Sequence, residues 1–181
     1  MKRLNISLTT TGSLQKAIEE IESYKNSIKT KAEIFIDRLL DLGIEVAKSS
    51  SGEYTGLIAY TSMKFVDEFD CIGILIAKDR AKIISEWFKG GQLVSAEVSP
   101  ILMAEFGSGW FAEVLFAVEG VGQGTFPGQI HAFDENGWSW TTPNGVRHHS
   151  MGTKPTHPMH NASIALINNV MTIATEVFGN G

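Results

Sequence analysis

The chain has 181 residues, a natural length for one domain with a hydrophobic core. Its composition, 43% hydrophobic and 19% charged, is that of an ordinary globular protein, and its apolar runs are far too short to span a membrane. The net charge of −5 argues against a protein that binds nucleic acid by broadly neutralising phosphates.

The N-terminal third carries the clearest periodicity. Residues 1–12 lack the apolar core of a secretory signal. From Leu14 to Val46, apolar residues then recur every three or four positions, which predicts one amphipathic helix over 13–48. Ser13 is a candidate N-cap, and Gly43 is a candidate weak point near the end. Such a helix would span roughly 50 Å, so we expect part of it to pack against another subunit; a long core helix within a monomer is the alternative.

Residues 53–98 read as strands. Short segments rich in Ile, Val, Phe and Tyr alternate with turn signals, which predicts an antiparallel meander of three or four strands. "KGG" at 89–91 is the strongest turn, and "DEFD" at 67–70 and "KDR" at 78–80 are weaker ones. Cys71, the single cysteine, excludes an intrachain disulfide. Its apolar run predicts a small buried hydrophobe rather than a catalytic thiol, because such surroundings raise a thiol's pKa.

The remaining elements are two helices and a small hairpin. A short helix is expected over 99–107, with Ser99 as its cap, Pro100 in its first turn and Gly107 at its end. Residues 110–150 read as a loop-rich insertion, in which "GWSW" and "VRHH" flank a turn at 143–145. The last helix is predicted over 158–178, closed by Gly179 in a left-handed conformation. The fold class is therefore α+β, a single domain with a long N-terminal and a C-terminal helix packed on an antiparallel meander.

Four of the five histidines lie within thirteen positions, which raises the question of a metal site. His148 and His149 are adjacent, so on a strand their side chains point to opposite faces. His157 and His160 are three apart, but Pro158 separates them at the start of a helix, and no cysteine is nearby. Carboxylate ligands would have to be brought in by the fold, the candidates being Glu113, Glu119, Asp134 and Glu135. We therefore predict no metal and no other cofactor.

Two further patterns are weak signals for chemistry. "GVGQGTFPG" resembles a phosphate-binding loop but lacks the Lys-Ser/Thr pair and the strand-to-helix context, which favours a flexible loop. Ser108 lies between two glycines, but Phe106 stands where a nucleophile elbow requires glycine. No paired carboxylates or triad order is evident, so the sequence predicts a protein that is not an enzyme.

Two stretches together resemble a known family. "AEFGSG" at 104–109 follows a long helix and a meander, and it resembles the "(V/Y)EFGTG" signature of the phage tail-component family of long-tailed bacteriophages. "GWSWTTPNGVRHHSMGTKPTHPMHNA" is similar to that family's ending, a tryptophan-bearing loop followed by glycine, proline and a terminal helix. The positions that carry the resemblance are Glu105, Phe106, Gly107, Gly109, Gly152, Pro155, Pro158 and Met159.

The resemblance implies a structural virion protein of the phage or prophage neck, assembled in the bacterial cytoplasm. Members form rings, usually hexameric, that join head-completion or adaptor proteins to the tail terminator or tail tube, with DNA passing through the channel. A tail terminator or minor tail protein is the alternative within phage assembly. A metal-dependent hydrolase that uses the histidine cluster at 148–160 is the alternative from another class.

Overall fold

The computed structural model describes residues 11–68, 70–89, 91–113, 131–142 and 144–179. It is a mixed helix and strand structure with antiparallel strand pairs, which confirms the predicted fold class. The helices are α1 (Thr11–Ser50), α2 (Pro100–Phe106) and α3 (Pro158–Phe178). The strands of this part of the chain are β1 (Ile58–Val66), β2 (Cys71–Asp79), β3 (Ile83–Lys89), β4 (Gln92–Val98), β5 (Trp138–Thr141) and β6 (Arg147–Ser150).

Helix α1 is longer than the sequence predicts. Its 40 residues correspond to about 60 Å. Ser13 lies inside the helix, so its assignment as the N-cap is wrong. The helix continues through Gly43 to Ser50. A Cβ at Gly43 would lie 3.1 Å from Leu75 and 3.6 Å from Leu166. The glycine is therefore the point where β2 and α3 both approach α1 closely.

The strands pair two by two rather than in one continuous meander. In the described part of the chain, β1 pairs with β2, β3 with β4 and β5 with β6, all antiparallel. The chain leaves the first pair directly after β2. The Arg80 N–H donates to the Leu57 carbonyl at 2.8 Å, and the Asp79 carboxylate accepts the Ile101 N–H at 3.0 Å. The second contact connects the end of β2 to α2, and β3 pairs with β4 rather than with the first sheet.

The core lies where the end of α1 meets β1, α2 and the start of α3. Its buried residues are Ala47, Tyr54, Ile58, Tyr60, Ala104 and Ala162. The buried Ser51 hydroxyl donates to the Ala47 carbonyl at 2.7 Å and lies 2.8 Å from the Tyr60 hydroxyl. This pairing satisfies two polar groups in an apolar setting, where an unpaired group would be costly.

Helix α3 packs antiparallel on α1, but only on the second part of it. The rings of Phe35 and Phe178 lie 5.9 Å apart, and Arg38 donates to Glu176 at 2.9 Å. Because Phe178 ends α3, its cover of α1 stops near Phe35. The preceding two dozen residues of α1 extend beyond α3 as a helical arm, which we call the α1 arm (residues 11–34).

Hairpin β1–β2 lies against another side of α1. Gly73 packs directly against Ile36, and a Cβ added at position 73 would lie 2.7 Å from a methyl group of Ile36. Lys64 donates to Asp37 at 2.7 Å, and Glu68 at the hairpin tip forms an exposed ion pair with Lys25. No helix among the described residues is long and apolar enough to cross a membrane.

Candidate functional site

The residues that carry the family resemblance come together at one place. Segment 104–113, which contains the "EFG" motif, runs beside segment 150–160, which leads into α3. We call this pair of segments the joint. The two segments are about fifty residues apart in the sequence, and backbone and side-chain hydrogen bonds connect them along their length.

Glu105 fastens the joint to the first turn of α3. Its carboxylate accepts the backbone N–H of Met159 at 2.9 Å and that of His160 at 3.0 Å. The first N–H groups of a helix have no partner within the helix, and the helix dipole favours a negative charge there. Glu105 thus caps α3 from α2. The residue at the N-cap position, His157, makes no side-chain cap hydrogen bond.

Ser108 joins the two segments through both its backbone and its side chain. Its N–H donates to the Thr153 carbonyl at 2.8 Å, and its hydroxyl accepts the Thr153 N–H at 3.0 Å. The Trp110 N–H continues the pairing to the Met151 carbonyl at 2.9 Å. Ser108 is buried, with 4% of its surface exposed, so its hydroxyl holds the joint and is not presented to a substrate.

The motif glycines are required by close approach of the two segments. Gly107, Gly109 and Gly152 all have positive φ. A Cβ on Gly152 would lie 2.0 Å from the Ser108 carbonyl oxygen, and one on Gly107 would lie 2.7 Å from the Thr153 oxygen. Backbone atoms cannot move aside as the end of a flexible side chain can. Any residue other than glycine at these positions would therefore displace the chain.

The prolines and the turn before α3 complete the joint. The Ala104 carbonyl accepts the N–H groups of Thr156 at 2.7 Å and His157 at 3.0 Å. His157 has a positive φ of 52°, rare for a residue with a side chain, and directs the chain into α3. Pro158 is fully buried in the first turn of α3. Pro155 packs beside Gly107, and the Phe106 carbonyl accepts the Glu113 N–H at 2.8 Å.

Several local predictions are settled at these elements. Ser99 caps α2 through a hydrogen bond from the Leu102 N–H, and Gly107 ends that helix, as the sequence predicts. The prediction of a left-handed Gly179 is wrong, because Gly179 has φ −71° and its N–H continues the helical hydrogen bonding to Thr175. Cys71 is half-buried rather than buried, and desolvation raises the pKa of its thiol.

The histidines of the cluster are distributed over different contacts. His148 stacks on Trp140 with ring centroids 5.2 Å apart, and a His149 ring nitrogen lies 2.9 Å from the Asn136 carbonyl. His157 lies 3.5 Å from Glu113, and its ring meets that of His160 edge-on at 6.1 Å. Across the described residues, no group of three His, Cys, Asp or Glu side chains is placed to hold a metal ion.

The other predicted ligand candidates are separated as well. Asp134 lies 3.5 Å from His131, which stacks on Trp138, whereas His148 stacks on Trp140 two positions further along β5. Glu135 is exposed beside it, and Glu119 lies outside the described residues, as do the "GVGQGTFPG" loop and Pro143 of the predicted turn. The remaining part of that turn is present, with the Gly145 N–H donating to the Thr142 carbonyl at 2.8 Å.

Three groups of exposed large apolar side chains lie on α1, on hairpin β1–β2 and on α3, and the sequence predicts only the first of them. The first is the predicted stripe on the α1 arm, formed by Leu14, Ile18, Ile21, Tyr24 and Ile28. The second is the outer face of hairpin β1–β2, formed by two cross-strand pairs, Met63 with Ile74 and Phe65 with Ile72. The third is a stripe on α3, formed by Ile164, Ile167 and Met171. Other exposed apolar residues of the described chain, such as Ile84, Leu93 and Trp140, lie elsewhere.

The two missed surfaces have recognisable signals in the sequence. In β1 and β2, Lys64 and Gly73 face α1. Because successive residues of a strand point to opposite faces, the residues directly before and after each of them face outward, and all four are apolar. After His160 in its first turn, helix α3 carries one acidic residue, Glu176, and no basic residue. With Ile167 and Met171 exposed at 70% and 74%, the helix presents uncharged apolar surface on a side that α1 does not cover. Contiguous exposed apolar surface of this kind marks an interaction site.

Comparison with protein-family models, with curated proteins and with solved structures finds no match to this chain.

Proposed function

We propose that this chain is a non-enzymatic structural protein of a phage or prophage virion, a neck subunit that forms a ring between the head-completion proteins and the tail. The observation that carries the proposal is the pair of exposed apolar surfaces on hairpin β1–β2 and on α3. The resemblance in the joint supplies the identity of the assembly.

The two surfaces differ in shape, which favours a ring. One is the flat outer face of a two-stranded hairpin, with Phe65 opposite Ile72, and the other is the convex stripe of a helix. A contact between two different surfaces of identical subunits is heterologous, and repeated head to tail it closes into a ring when the rotation allows. We expect the stripe of α3 on one subunit to pack on the hairpin of the next, in the hexamer that the family resemblance implies.

The joint sets the geometry of such a contact. Glu105, Ser108 and the motif glycines fix the direction in which α3 leaves the core. A rigid α3 presents its stripe at a constant angle to the hairpin of the same subunit, which a closed ring requires. The motif residues therefore act on assembly through the placement of α3 rather than by contact with a substrate.

The charge of the chain is compatible with a channel for DNA. A net charge of −5 provides no dense array of cations that would hold phosphates. DNA would therefore pass through a ring of these subunits without strong retention. The partners in this function are the neighbouring subunits, head-completion or adaptor proteins on one side and tail terminator or tail-tube proteins on the other.

The experiment is a measurement of assembly in purified full-length protein, by light scattering and electron microscopy. We expect rings, and we expect Phe65→Lys and Ile167→Lys each to abolish them while circular dichroism stays unchanged. Ile84→Lys is the matched control, since Ile84 is also an exposed isoleucine but lies in hairpin β3–β4. A wild-type protein that never exceeds a dimer, alone or with purified tails, would overturn the proposal.

Localisation within a particle tests the biological assignment. Antibody labelling of phage particles that contain this protein should mark the junction between head and tail. Labelling at the distal end of the tail would instead assign the ring to another tail component.

A further inference from the structure

The α1 arm carries an apolar stripe that continues the packed face of α1. Ile21, Ile28 and Phe35 follow at intervals of seven residues, so they lie on one face of the helix. Phe35 contacts Phe178 of α3, whereas Ile28 and Ile21 lie beyond the end of α3 and are 44% and 53% exposed. On the arm, α3 does not cover this face, where Leu14, Ile18, Ile21, Tyr24 and Ile28 are exposed and Ala17 is buried.

We propose that a second copy of this chain covers the stripe, with the two α1 arms paired antiparallel as a short two-helix coiled coil. The proposal does not rest on the neck function. The stripe has the three- and four-residue spacing that another helix recognises, and it runs for four turns from Leu14 to Ile28. The orientation of the pair follows from the position of α3 and from the charges beside the stripe.

The position of α3 excludes the parallel orientation. A parallel copy in register with the arm would run past Phe35 into the volume that α3 occupies, because Phe178 and Leu166 lie against that part of α1. An antiparallel copy instead runs past the N-terminal end of the described arm. Its own α3 then lies beyond the first helical turn, where the described chain places no other element.

The charges of the arm favour the same orientation. Residues 14–23 of the arm hold three acidic residues and one basic residue, Glu19, Glu20, Glu22 and Lys16, whereas residues 25–34 hold three basic residues and one acidic residue, Lys25, Lys29, Lys31 and Glu33. An antiparallel pair that crosses near Tyr24 places the acidic cluster of each copy beside the basic cluster of the other, whereas a parallel pair places like beside like. Lys25 is shared with Glu68 of its own hairpin, so Lys29 and Lys31 supply most of this complementarity. Because such pairs are exposed, they select orientation more than they add affinity.

Such a contact is isologous, since the same surface is used by both copies. It differs from the head-to-tail contact of a ring in both its residues and its symmetry. Two free subunits could be held together by it before assembly, and two rings could be joined face to face.

Sedimentation velocity of the full-length chain tests the pairing in a Phe65→Lys background, which disables the proposed ring contact. We expect a concentration-dependent dimer, which Ile21→Glu converts to a monomer at every concentration. Ser23→Glu is the matched control, since it adds the same charge two positions away on the opposite side of the helix and should leave the dimer intact. A background protein that is monomeric throughout, or an Ile21→Glu variant that still dimerises, would overturn the proposal.

Disulfide trapping tests the orientation after Cys71→Ser has removed the native thiol. Tyr24→Cys lies near the crossing point, so it should cross-link to itself on mild oxidation. Leu14→Cys should not, because antiparallel pairing separates the two copies of that residue by roughly 30 Å. Equal cross-linking at both positions would show a parallel pair, and cross-linking at neither would show that the arms do not meet; each contradicts the proposal.

Discussion

The Glu105 carboxylate accepts the backbone N–H of Met159 at 2.9 Å, across 54 positions of sequence. The contact connects the end of α2 to the first turn of α3, and a second one to the His160 N–H makes the cap bidentate. It explains why a glutamate in an "EFG" motif and a proline-methionine pair far along the chain belong to one structural unit.

Replacing Glu105 should destabilise the protein through the first turn of α3. We expect Glu105→Ala to lower the free energy of unfolding by about 1–2 kcal/mol, because two helix N–H groups lose their acceptor. Glu105→Gln keeps one acceptor oxygen and should cost less. Urea denaturation measures both, with Glu97→Gln at an exposed position of β4 as the control. A Glu105→Ala protein as stable as the wild type would contradict the role of this cap.

Replacing Gly152 should be far more damaging than replacing Gly145, although both have positive φ. An alanine Cβ at 152 would lie 2.0 Å from the Ser108 carbonyl oxygen, whereas nothing lies within 4 Å at 145. We expect Gly145→Ala to cost about 1 kcal/mol from backbone strain alone and Gly152→Ala to cost about 3 kcal/mol or more. Thermal unfolding followed by circular dichroism compares the two, and similar losses would show that the joint yields easily.

Two glycines on the α1 interface should respond in opposite directions to alanine. At Gly73 a Cβ would lie 2.7 Å from the branched Ile36 side chain, so Gly73→Ala should destabilise by about 1–3 kcal/mol. At Gly43 the nearest atom is the flexible end of Leu75 at 3.1 Å. Helix propensity there favours alanine, so Gly43→Ala should be neutral or stabilising by up to about 1 kcal/mol. Denaturant midpoints measure the stability of both variants. A large loss of stability in Gly43→Ala would contradict the prediction and would mean that Leu75 cannot move aside.

Asp79 should make stability depend on acid pH. Burial by itself would raise the pKa of Asp79, but hydrogen bonds from Lys82 and from the Ile101 N–H outweigh it and hold the pKa below its ordinary value. A carboxylate with a lowered folded-state pKa contributes stability above its unfolded pKa of about 4, and that contribution is lost as pH falls through the folded value.

The matching variant is Asp79→Asn, which keeps the shape of the side chain but removes the charge. We expect it to be about 1 kcal/mol less stable than the wild type near neutral pH, because hydrogen bonds to a charged acceptor are stronger. The difference should shrink once the pH falls below about 4 and through the lowered pKa of the folded protein, because the wild-type carboxylate is then itself protonated. Urea midpoints across this range measure the difference, and a gap independent of pH would contradict the assignment.

The helices and hairpins that form through contacts between residues near each other in the chain can be predicted from the amino-acid sequence. The three- and four-residue spacing of apolar side chains predicts α1 and α3, the Ser99–Pro100–Gly107 pattern predicts α2, and the turn residues predict the hairpins. Each of these depends on contacts within a few positions of the chain. The errors at Ser13 and Gly179 lie at helix ends, where boundaries are least well predicted: α1 begins before Ser13, and Gly179 keeps a right-handed helical conformation after Phe178, the last residue of α3.

How these helices and strands pack against one another depends on tertiary contacts and could not be predicted from the sequence. The capping of α3 by Glu105, the approach of Gly152 to Ser108 and the separation of the strands into pairs all depend on residues distant in sequence. The same is true of the histidines, which are adjacent in the chain but are held by Trp140, Asn136 and Glu113 in different directions. Their proximity in the sequence raises the question of one site, but His148, His149 and His157 each contact a different partner. The joint itself exists because burial of Ala104, Ala162 and Pro158 brings two segments so close that only glycine and backbone hydrogen bonds fit between them.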